Sequence, residues 1–367
     1  MENNNKNSSV SRRHFIRNAA IAAGSLAILP VVGKATIILG TKARKSADNL
    51  PDSKFAGIQI GAITWAFRDL PSNAETILKA CVDSGISSVE LMGNVIESYA
   101  GLPPGPTELS SPLSPKAQAR LDKITKTYKI TPEQVKKFLK PAEWSEFVSG
   151  IMGPTEEQTH WRTNVPMAKF KELKKMFHDA GVKIHMAKLQ PSNWSDGEID
   201  YAFNVANALG AKGVSEEIGE DSCKRLAHFA EKHKLYAIFH NHSQYADATF
   251  NVDTLLALSP AIMLNVDCGH YFATTGKNPC DFITKYHNRI FSIHLNDNLG
   301  QGSAAPDTSK IWGQGQTPLK DVLLLLKEHA KDNAWPKHAD IDDTALTMSN
   351  SVAEVKFDVE YCKKVLV

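Results

Sequence analysis

The sequence predicts an α/β protein in which eight parallel strands, each followed by a helix, close into a barrel. Short apolar segments alternate with amphipathic segments from residue 55 onward, and eight such pairs can be counted. Glycine follows several of the amphipathic segments, and polar residues gather where the apolar segments end. Eight strand–helix units are the number that closes a (β/α)8, or TIM, barrel.

The strands are predicted where a short apolar run ends in a turn or in polar residues. In chain order they cover residues 57–63, 86–91, 182–188, 213–218, 235–240, 262–267, 290–295 and about 338–342. A doubly wound sheet is the alternative, since it also alternates strands and helices. No G-x-G-x-x-G motif follows an early strand, which argues against the dinucleotide-binding form of that fold.

The helices are predicted where apolar residues recur every three or four positions, as they do over residues 167–179. The other helices between and after the strands cover residues 74–83, 197–209, 221–233, 252–258, 279–287, 318–331 and about 352–364. Gly85, Gly181 and Gly210 each lie just past a helix end, where glycine adopts the left-handed conformation at low cost.

A helical insertion at about 102–160 is predicted between the second and third strands. These strands lie about 90 residues apart, and the interval holds a proline-rich stretch at 103–106 and helical patterns near 115–128, 132–139 and 142–149. The insertion is either a lid at the catalytic mouth or a peripheral decoration, and the sequence leaves both open.

Residues 1–35 are predicted to be an export signal. The pair Arg12 and Arg13 precedes an apolar stretch of 14 residues at 19–32, too short for a confident membrane span. The pair resembles a twin-arginine signal, and an ordinary secretory signal with two chance arginines is the alternative. We expect a periplasmic protein with a linker at 36–54 and the barrel at 55–367, with no membrane association after signal cleavage.

Charge and cysteine content argue against two classes of protein. Beyond residue 35 the chain has 37 basic and 39 acidic residues, so it lacks the positive excess of a strong nucleic-acid binder. Its five cysteines include no C-x-x-C pair, which argues against a disulfide framework or a structural zinc knuckle. The oligomeric state is not fixed by the sequence, and a homodimer is allowed.

Polar residues end five consecutive strands, from the fourth to the eighth, where a barrel forms its active site. Because side chains alternate along a strand, four of these residues on neighbouring strands face inward: Glu217, His240, Asp267 and His294. Mixed imidazole and carboxylate ligands suit Zn²⁺, Mn²⁺, Co²⁺ or Fe²⁺ better than Ca²⁺. A metal site is therefore predicted at these strand ends, although any one of these residues alone could simply be a hydrogen-bonding side chain.

Further residues at the strand ends are predicted to bind substrate. They are Glu90 and Asn296, which face inward, Asp297 after the seventh strand, Lys188 at the end of the third, and Trp65 after the first. Lys188 could instead be an exposed lysine, and Trp65 a core aromatic. The segment 313–318 (GQGQTP) could cradle an anion, but Thr317 as a helix N-cap before Pro318 is the stronger interpretation.

Several strings resemble the xylose-isomerase-like sugar phosphate isomerase/epimerase superfamily. They are LGAKGVSEEI at 209–218, FHNH at 239–242, D-x-G-H at 267–270 and I-H-L-x-D at 293–297. The strings ELMG at 90–93 and E-x-Y-A-G at 97–101, with the twin-arginine leader, fit the exported bacterial branch of that superfamily. The resemblance covers roughly residues 55–365.

The resemblance implies a TIM barrel with one divalent metal: Mn²⁺, Zn²⁺, Co²⁺ or Mg²⁺. Asp267 and His294 match the family's ligands, and Glu217 is expected near the metal. Three positions depart from the usual pattern: His240 and Asp342 stand at the ligand positions of the fifth and eighth strands, where Glu is common, and Asn298 stands where Arg is common.

Members of the superfamily isomerise, epimerise or dehydrate sugars and cyclitols by removing a proton beside a carbonyl. We expect a carbohydrate isomerase, epimerase or lyase that forms an enediolate on a small keto-sugar, with His242 and His270 as the acid and base. A catalytically weakened carbohydrate-binding barrel and an apurinic-endonuclease-like nuclease are the alternatives. The nuclease would need an additional His-x-His after residue 294, and the sequence has none.

Overall fold

The computed structural model describes residues 50–367, apart from 129–130, 139–140, 344 and 346–347. Eight parallel strands form a closed barrel, because each pairs with the next and the eighth pairs with the first. The strands are β1 Ile58–Ile63, β2 Ser88–Met92, β3 Lys183–Lys188, β4 Gly213–Glu217, β5 Tyr236–His240, β6 Ile262–Asp267, β7 Ile290–Leu295 and β8 His338–Ile341. The predicted (β/α)8 barrel is confirmed, and the doubly wound alternative is wrong.

Fourteen α-helices accompany the strands in this part of the chain. They are α1 Ala74–Ser84, α2 Gly93–Ala100, α3 Pro115–Tyr128, α4 Pro132–Phe138, α5 Pro141–Met152, α6 Glu156–Asn164, α7 Ala168–Asp179, α8 Asp196–Leu209, α9 Glu220–His233, α10 Val252–Leu256, α11 Cys268–Thr275, α12 Pro279–Tyr286, α13 Leu319–Glu328 and α14 Ser351–Leu366. Helices α2, α6 and α11 were not predicted from the sequence. The longer helices lie close to their predicted bounds.

Residues Glu97–Val165 form a compact unit with a hydrophobic core of its own. That core contains Ala117, Leu121, Val135, Trp144, Phe147, Val148 and Ile151. Arg162 of α6 forms two hydrogen bonds to Glu97, of 2.7 and 3.0 Å, and both side chains are buried. The predicted insertion falls within this unit, and its role as a lid stays a prediction.

The predicted signal at 1–35 and residues 36–49 of the predicted linker lie outside the described residues. Lys54–Phe55 form a short strand that pairs antiparallel with β1. Among the helices described, none is both long and apolar enough to cross a bilayer.

A polar layer crosses the barrel interior beneath the ends of the strands. Asp340 of β8 lies at its centre, with Oδ2 3.0 Å from His185 Nε2 and 2.5 Å from Ser292 Oγ. Ser88 Oγ lies 2.9 Å from His185 Nδ1. All four side chains are buried, so these contacts hold Asp340 in place.

Changing Gly61 to alanine should destabilise the barrel by about 3 kcal/mol, the upper end of the usual cost of overpacking. A Cβ at this position would lie 1.9 Å from Asp340 Oδ1 and 3.1 Å from the backbone oxygen of Ser88. Asp340 cannot move aside without losing its bonds to His185 and Ser292. Urea unfolding measures the loss.

Gly302→Ala is the matched control, because a Cβ there would have no atom within 4 Å. Its stability should stay within about 0.5 kcal/mol of the unaltered protein. An equal midpoint for Gly61→Ala and Gly302→Ala would show that the polar layer is not rigidly packed.

Candidate metal centre

Four neighbouring strands bring four potential ligands together. His240 ends β5, Asp267 ends β6, His294 lies near the end of β7, and Asp342 directly follows β8. Each side chain is buried and offers one donor atom within 4.8 Å of the other three. We call these residues the four-ligand cluster. It contains four of the five residues predicted from the sequence to bind metal.

The donor atoms of the four-ligand cluster fit a divalent cation. His240 Nε2, Asp267 Oδ2 and Asp342 Oδ1 are buried and have no hydrogen-bond partner among the described residues. His240 Nε2 and Asp267 Oδ2 lie 3.6 Å apart, too far for a hydrogen bond. A buried polar atom without a partner costs about 1–3 kcal/mol, and a cation bound by imidazole and carboxylate would remove that cost.

Asp267 uses its two carboxylate oxygens differently. It is the N-cap of α11, and its Oδ1 accepts the backbone N–H of His270 at 2.7 Å. Asn241, the residue directly after β5, fixes the same residue, because its Oδ1 accepts the Asp267 N–H at 3.0 Å. The cap and the amide therefore orient the carboxylate and leave Oδ2 without a hydrogen-bond partner.

Glu217, the fifth predicted ligand, lies at the edge of the four-ligand cluster. Its Oε2 is 3.4 Å from His240 Nδ1 and 2.9 Å from His242 Nδ1, and its Oε1 is 3.3 Å from Lys188 Nζ. Its donor atoms form a second close group with those of His240 and His242. Glu217 can therefore bind a metal only as part of that outer group or after a change of conformation.

The two predicted catalytic histidines lie beside the cluster and beside each other. The ring centroids of His242 and His270 are 4.6 Å apart, and the His242 ring is 4.8 Å from that of His240. His270 Nδ1 lies 2.7 Å from Asp307 Oδ1, which also accepts Asn298 Nδ2 at 2.8 Å. Asp307 was not predicted from the sequence, since it comes from an irregular loop 37 residues after His270.

Neighbouring charges shift the pKa values of these groups in different directions. Burial favours protonation of Glu217, but His242, Lys188 and His240 outweigh it and hold the pKa of this carboxyl well below its ordinary value. Burial lowers the pKa of His242, and Glu217 offsets this only in part. Burial also opposes a charge on His270, yet Asp267 and Asp307 raise the pKa of its imidazole to about 10.

Of the residues predicted to bind substrate, Lys188 and Glu90 lie beside the cluster, and Trp65 follows β1. Lys188 is buried, so the alternative of an exposed lysine is wrong; burial opposes its charge, but Glu217, Glu90 and Asp342 raise the pKa of its ammonium. Glu90 is fully buried, and its Oε2 lies 2.6 Å from His294 Nε2. Trp65 lies in a short 3-10 helix, and its ring centroid is 5.6 Å from the Arg68 guanidinium carbon.

Asn296 and Asp297, the other two, bind the loop that follows β7. Asn296 Oδ1 accepts Ser309 Oγ at 2.5 Å. The Asp297 carboxylate accepts three backbone N–H groups, those of Gly313 at 2.8 Å, Gly315 at 3.0 Å and Thr317 at 3.2 Å. Burial raises the pKa of Asp297, and these three bonds oppose the shift. Contact of either residue with substrate stays a prediction.

The segment 313–318 differs from both expectations. Its N–H groups do surround an anion, but the anion is the protein's own Asp297 carboxylate rather than a ligand. The expectation of Thr317 as N-cap is wrong, because α13 begins at Leu319 and Pro318 is its N-cap residue. The hydroxyl of Thr317 instead accepts the N–H of Asn298 at 3.0 Å.

Comparison with solved structures identifies related folds. No protein-family model and no curated protein matches the sequence. A xylose isomerase domain protein from Alicyclobacillus acidocaldarius is similar with a TM-score of 0.51 and 12% identity over 84% of this chain and 98% of the other. A second such protein, from Planctomyces limnophilus, has a TM-score of 0.50 and 11% identity over 85% and 97% of the two chains.

An uncharacterized protein from Parabacteroides distasonis is also similar, with a TM-score of 0.50 and 18% identity over 84% of this chain and 99% of the other. All three matches extend along most of both chains. At such low identities the likeness is one of fold, a (β/α)8 barrel that this chain shares with two xylose isomerase domain proteins.

Proposed function

We propose that the protein is a metal-dependent carbohydrate isomerase, epimerase or lyase that removes a proton beside a carbonyl and forms an enediolate of the sugar. The observation that carries this proposal is the four-ligand cluster, in which three buried donor atoms lack hydrogen-bond partners among the described residues. The strand-end motifs resemble those of the sugar isomerase/epimerase superfamily, and two proteins of similar fold are xylose isomerase domain proteins. Both observations support sugar chemistry.

A divalent metal bound at the four-ligand cluster would polarise a carbonyl oxygen and stabilise the negative charge that develops on it, an effect worth several kcal/mol. His240 and His294 would supply neutral nitrogen donors, and Asp267 and Asp342 would supply the negative charge that balances the cation. Zn²⁺, Mn²⁺ and Co²⁺ suit this mixed donor set.

The two histidines beside the cluster can move the proton. His242 Nδ1 lies 2.9 Å from Glu217 Oε2, and His270 Nδ1 lies 2.7 Å from Asp307 Oδ1. An ionised carboxylate can only accept, so each Nδ1 carries the hydrogen and each Nε2 is left to take or give a proton. One imidazole removes the proton beside the carbonyl, and the other returns a proton to the neighbouring atom.

An unphosphorylated keto-sugar is the substrate class that we propose. Beyond residue 35 the chain carries no positive excess. The glycine-containing loop at 313–317, which could have bound a phosphate, directs three N–H groups at Asp297 instead. Polar side chains and a Lewis acid suit the hydroxyl and carbonyl oxygens of a neutral sugar.

Metal analysis combined with a turnover screen tests the proposal. The protein, reconstituted with Mn²⁺, Zn²⁺ or Co²⁺, should hold about one ion per chain and convert at least one member of a panel of ketoses and 3-keto glycosides. Less than a tenth of an ion per chain after reconstitution with all three would contradict the metal site. NMR of the products distinguishes isomerisation, epimerisation and elimination.

A carbohydrate-binding barrel with weakened catalysis is the second candidate function. The feature that favours it is Asn298, which stands where an arginine is common in the superfamily that the sequence resembles. Its side chain is buried and bonds Asp307 and Ser309, so it is part of the loop structure. Metal and sugar binding without turnover of any substrate in the panel would favour this function.

We also propose that the protein is exported through the twin-arginine route. Changing Arg12 and Arg13 together to lysine should keep it in the cytoplasm, because the receptor reads the arginine pair rather than the charge. Cell fractionation followed by immunoblotting measures the distribution. Arg17→Lys, which alters an arginine outside the pair, is the control and should reach the periplasm. Normal periplasmic appearance of the double variant would exclude this route.

A further inference from the structure

We infer that Glu90 is a positioning residue for His294: its carboxylate holds the imidazole in the tautomer with hydrogen on Nε2, which directs the Nδ1 lone pair toward the other members of the four-ligand cluster. This inference rests on the proposed metal site and goes further, because it gives a role in metal binding to a residue outside the cluster. It also replaces the substrate contact predicted for Glu90 from the sequence.

The geometry places one carboxylate on each side of the His294 ring. Glu90 Oε2 lies 2.6 Å from Nε2, and Asp342 Oδ2 lies 3.1 Å from Nδ1. A neutral imidazole carries one hydrogen, which can be donated to only one of the two carboxylates. The shorter contact favours Glu90, and Asp342 Oδ1, which has no partner among the described residues, belongs to the cluster.

Asn265 of β6 contacts both Glu90 and His294. Its Nδ2 lies 3.2 Å from Glu90 Oε2 and 2.8 Å from His294 Nε2. If Nε2 carries the hydrogen, both nitrogens donate to the same carboxylate oxygen. If Nε2 lacks it, Asn265 donates to the ring and the short contact with Glu90 loses its hydrogen. In the first arrangement the 2.8 Å contact between the two nitrogens is not a hydrogen bond, because neither accepts. The bond from Nε2 to the charged carboxylate is about twice as strong as a neutral hydrogen bond, so Glu90 selects that arrangement.

Full burial makes Glu90 suited to this role and unsuited to substrate contact. Glu90 and His294 are both 0% exposed, so solvent cannot replace the carboxylate as an acceptor. Metal-binding histidines usually donate their second nitrogen to such a group, and the loss of that partner weakens metal binding about 10–100-fold. Glutamine in place of Glu90 could turn its amide and donate to Nε2, which would stabilise the opposite tautomer.

Zinc titration against a competing chelator tests the inference. Glu90→Gln should weaken the dissociation constant about 10–100-fold relative to the unaltered protein. Glu198→Gln is the matched control, since it makes the same change at another buried glutamate, one on α8 that bonds Ser195 rather than a cluster member. It should change the constant less than about 3-fold. Equal constants for the unaltered protein and Glu90→Gln would overturn the inference.

The tautomer of His294 can be observed directly in metal-free protein labelled with ¹⁵N-histidine. Long-range proton–nitrogen NMR should show hydrogen on Nε2 in the unaltered protein and a shift toward Nδ1 in Glu90→Gln. Burial opposes a charge on His294, but Glu90 and Asp342 raise the pKa of its metal-free imidazole, so a second hydrogen on Nδ1 is compatible with the inference. Hydrogen on Nδ1 alone in the unaltered protein would overturn it, even if the variant does not fold. If the expected tautomer is present but zinc does not bind, the proposed metal site fails while the assigned contact stands.

Discussion

Asp267→Asn should lose tight binding of divalent metal while the barrel stays folded. Asn is as good an N-cap as Asp, so the bond to the His270 N–H and the start of α11 should survive. The unpartnered Oδ2 would be replaced by an uncharged amide, a poor ligand for a transition metal. We expect the dissociation constant for Zn²⁺ to weaken by more than the roughly 100-fold typical of residues behind a ligand.

Thermal unfolding with and without metal measures this effect. A metal at 100 times its dissociation constant stabilises the native state by about 2.7 kcal/mol, so the midpoint of the unaltered protein should rise with Zn²⁺. Asp267→Asn should show the same midpoint without metal and no rise with it. Asp267→Ala is the comparison, because it should lose the cap as well and unfold at a lower temperature even without metal. A rise in Asp267→Asn equal to that of the unaltered protein would remove Asp267 from the site.

The barrel could be predicted from the sequence because its signals are local. Residues 262–267 and 290–295 are short apolar runs that end in polar side chains, and they match β6 and β7 residue for residue. The alternation of side chains along such strands then turns His294 and Asp342 to the same interior. The parallel register then brings the ligands of neighbouring strands together, since Asp267 lies opposite His294 in the sheet.

The remaining features depend on contacts between distant residues. Helix α11 begins directly after β6, with Asp267 serving both as the strand end and as the cap, so no linker marks its start. The glycines at 313 and 315 predict a loop whose N–H groups can bind an anion. They do not show that the Asp297 carboxylate accepts those N–H groups. Asp307 contacts His270 from a loop that has no periodic pattern. Its backbone φ of 61° could not be predicted from the sequence either.

The depth of Glu90 within the barrel could not be predicted from the sequence either. Alternation turns Glu90 inward, and an inward residue near a strand end was expected to contact substrate. The structure buries Glu90 fully and places its Oε2 2.6 Å from His294 Nε2. Periodicity determines which face a side chain occupies, while its distance from the barrel mouth depends on the register of all eight strands.

His242→Ala and His270→Ala should each retain metal and lose turnover of the keto-sugar that the unaltered protein converts, by about 10²–10⁴-fold. Neither histidine belongs to the four-ligand cluster, so zinc affinity should change less than about 3-fold. Each ring is held through Nδ1 by a carboxylate, which leaves Nε2 as the group that exchanges the proton. His178→Ala removes an exposed histidine on α7 and should leave the rate unchanged.

Reaction in D₂O separates proton transfer from mere binding of sugar hydroxyls. If the histidines transfer the proton, the unaltered protein should incorporate deuterium beside the carbonyl, and both variants should lose kcat with little change in KM. If they only bind hydroxyls, KM should rise more than kcat falls, because the lost contact is equal in the ground state and the transition state. Wild-type rates in both variants would exclude them as acid and base and would leave Lys188, the buried cation beside Glu217, as the next group to test.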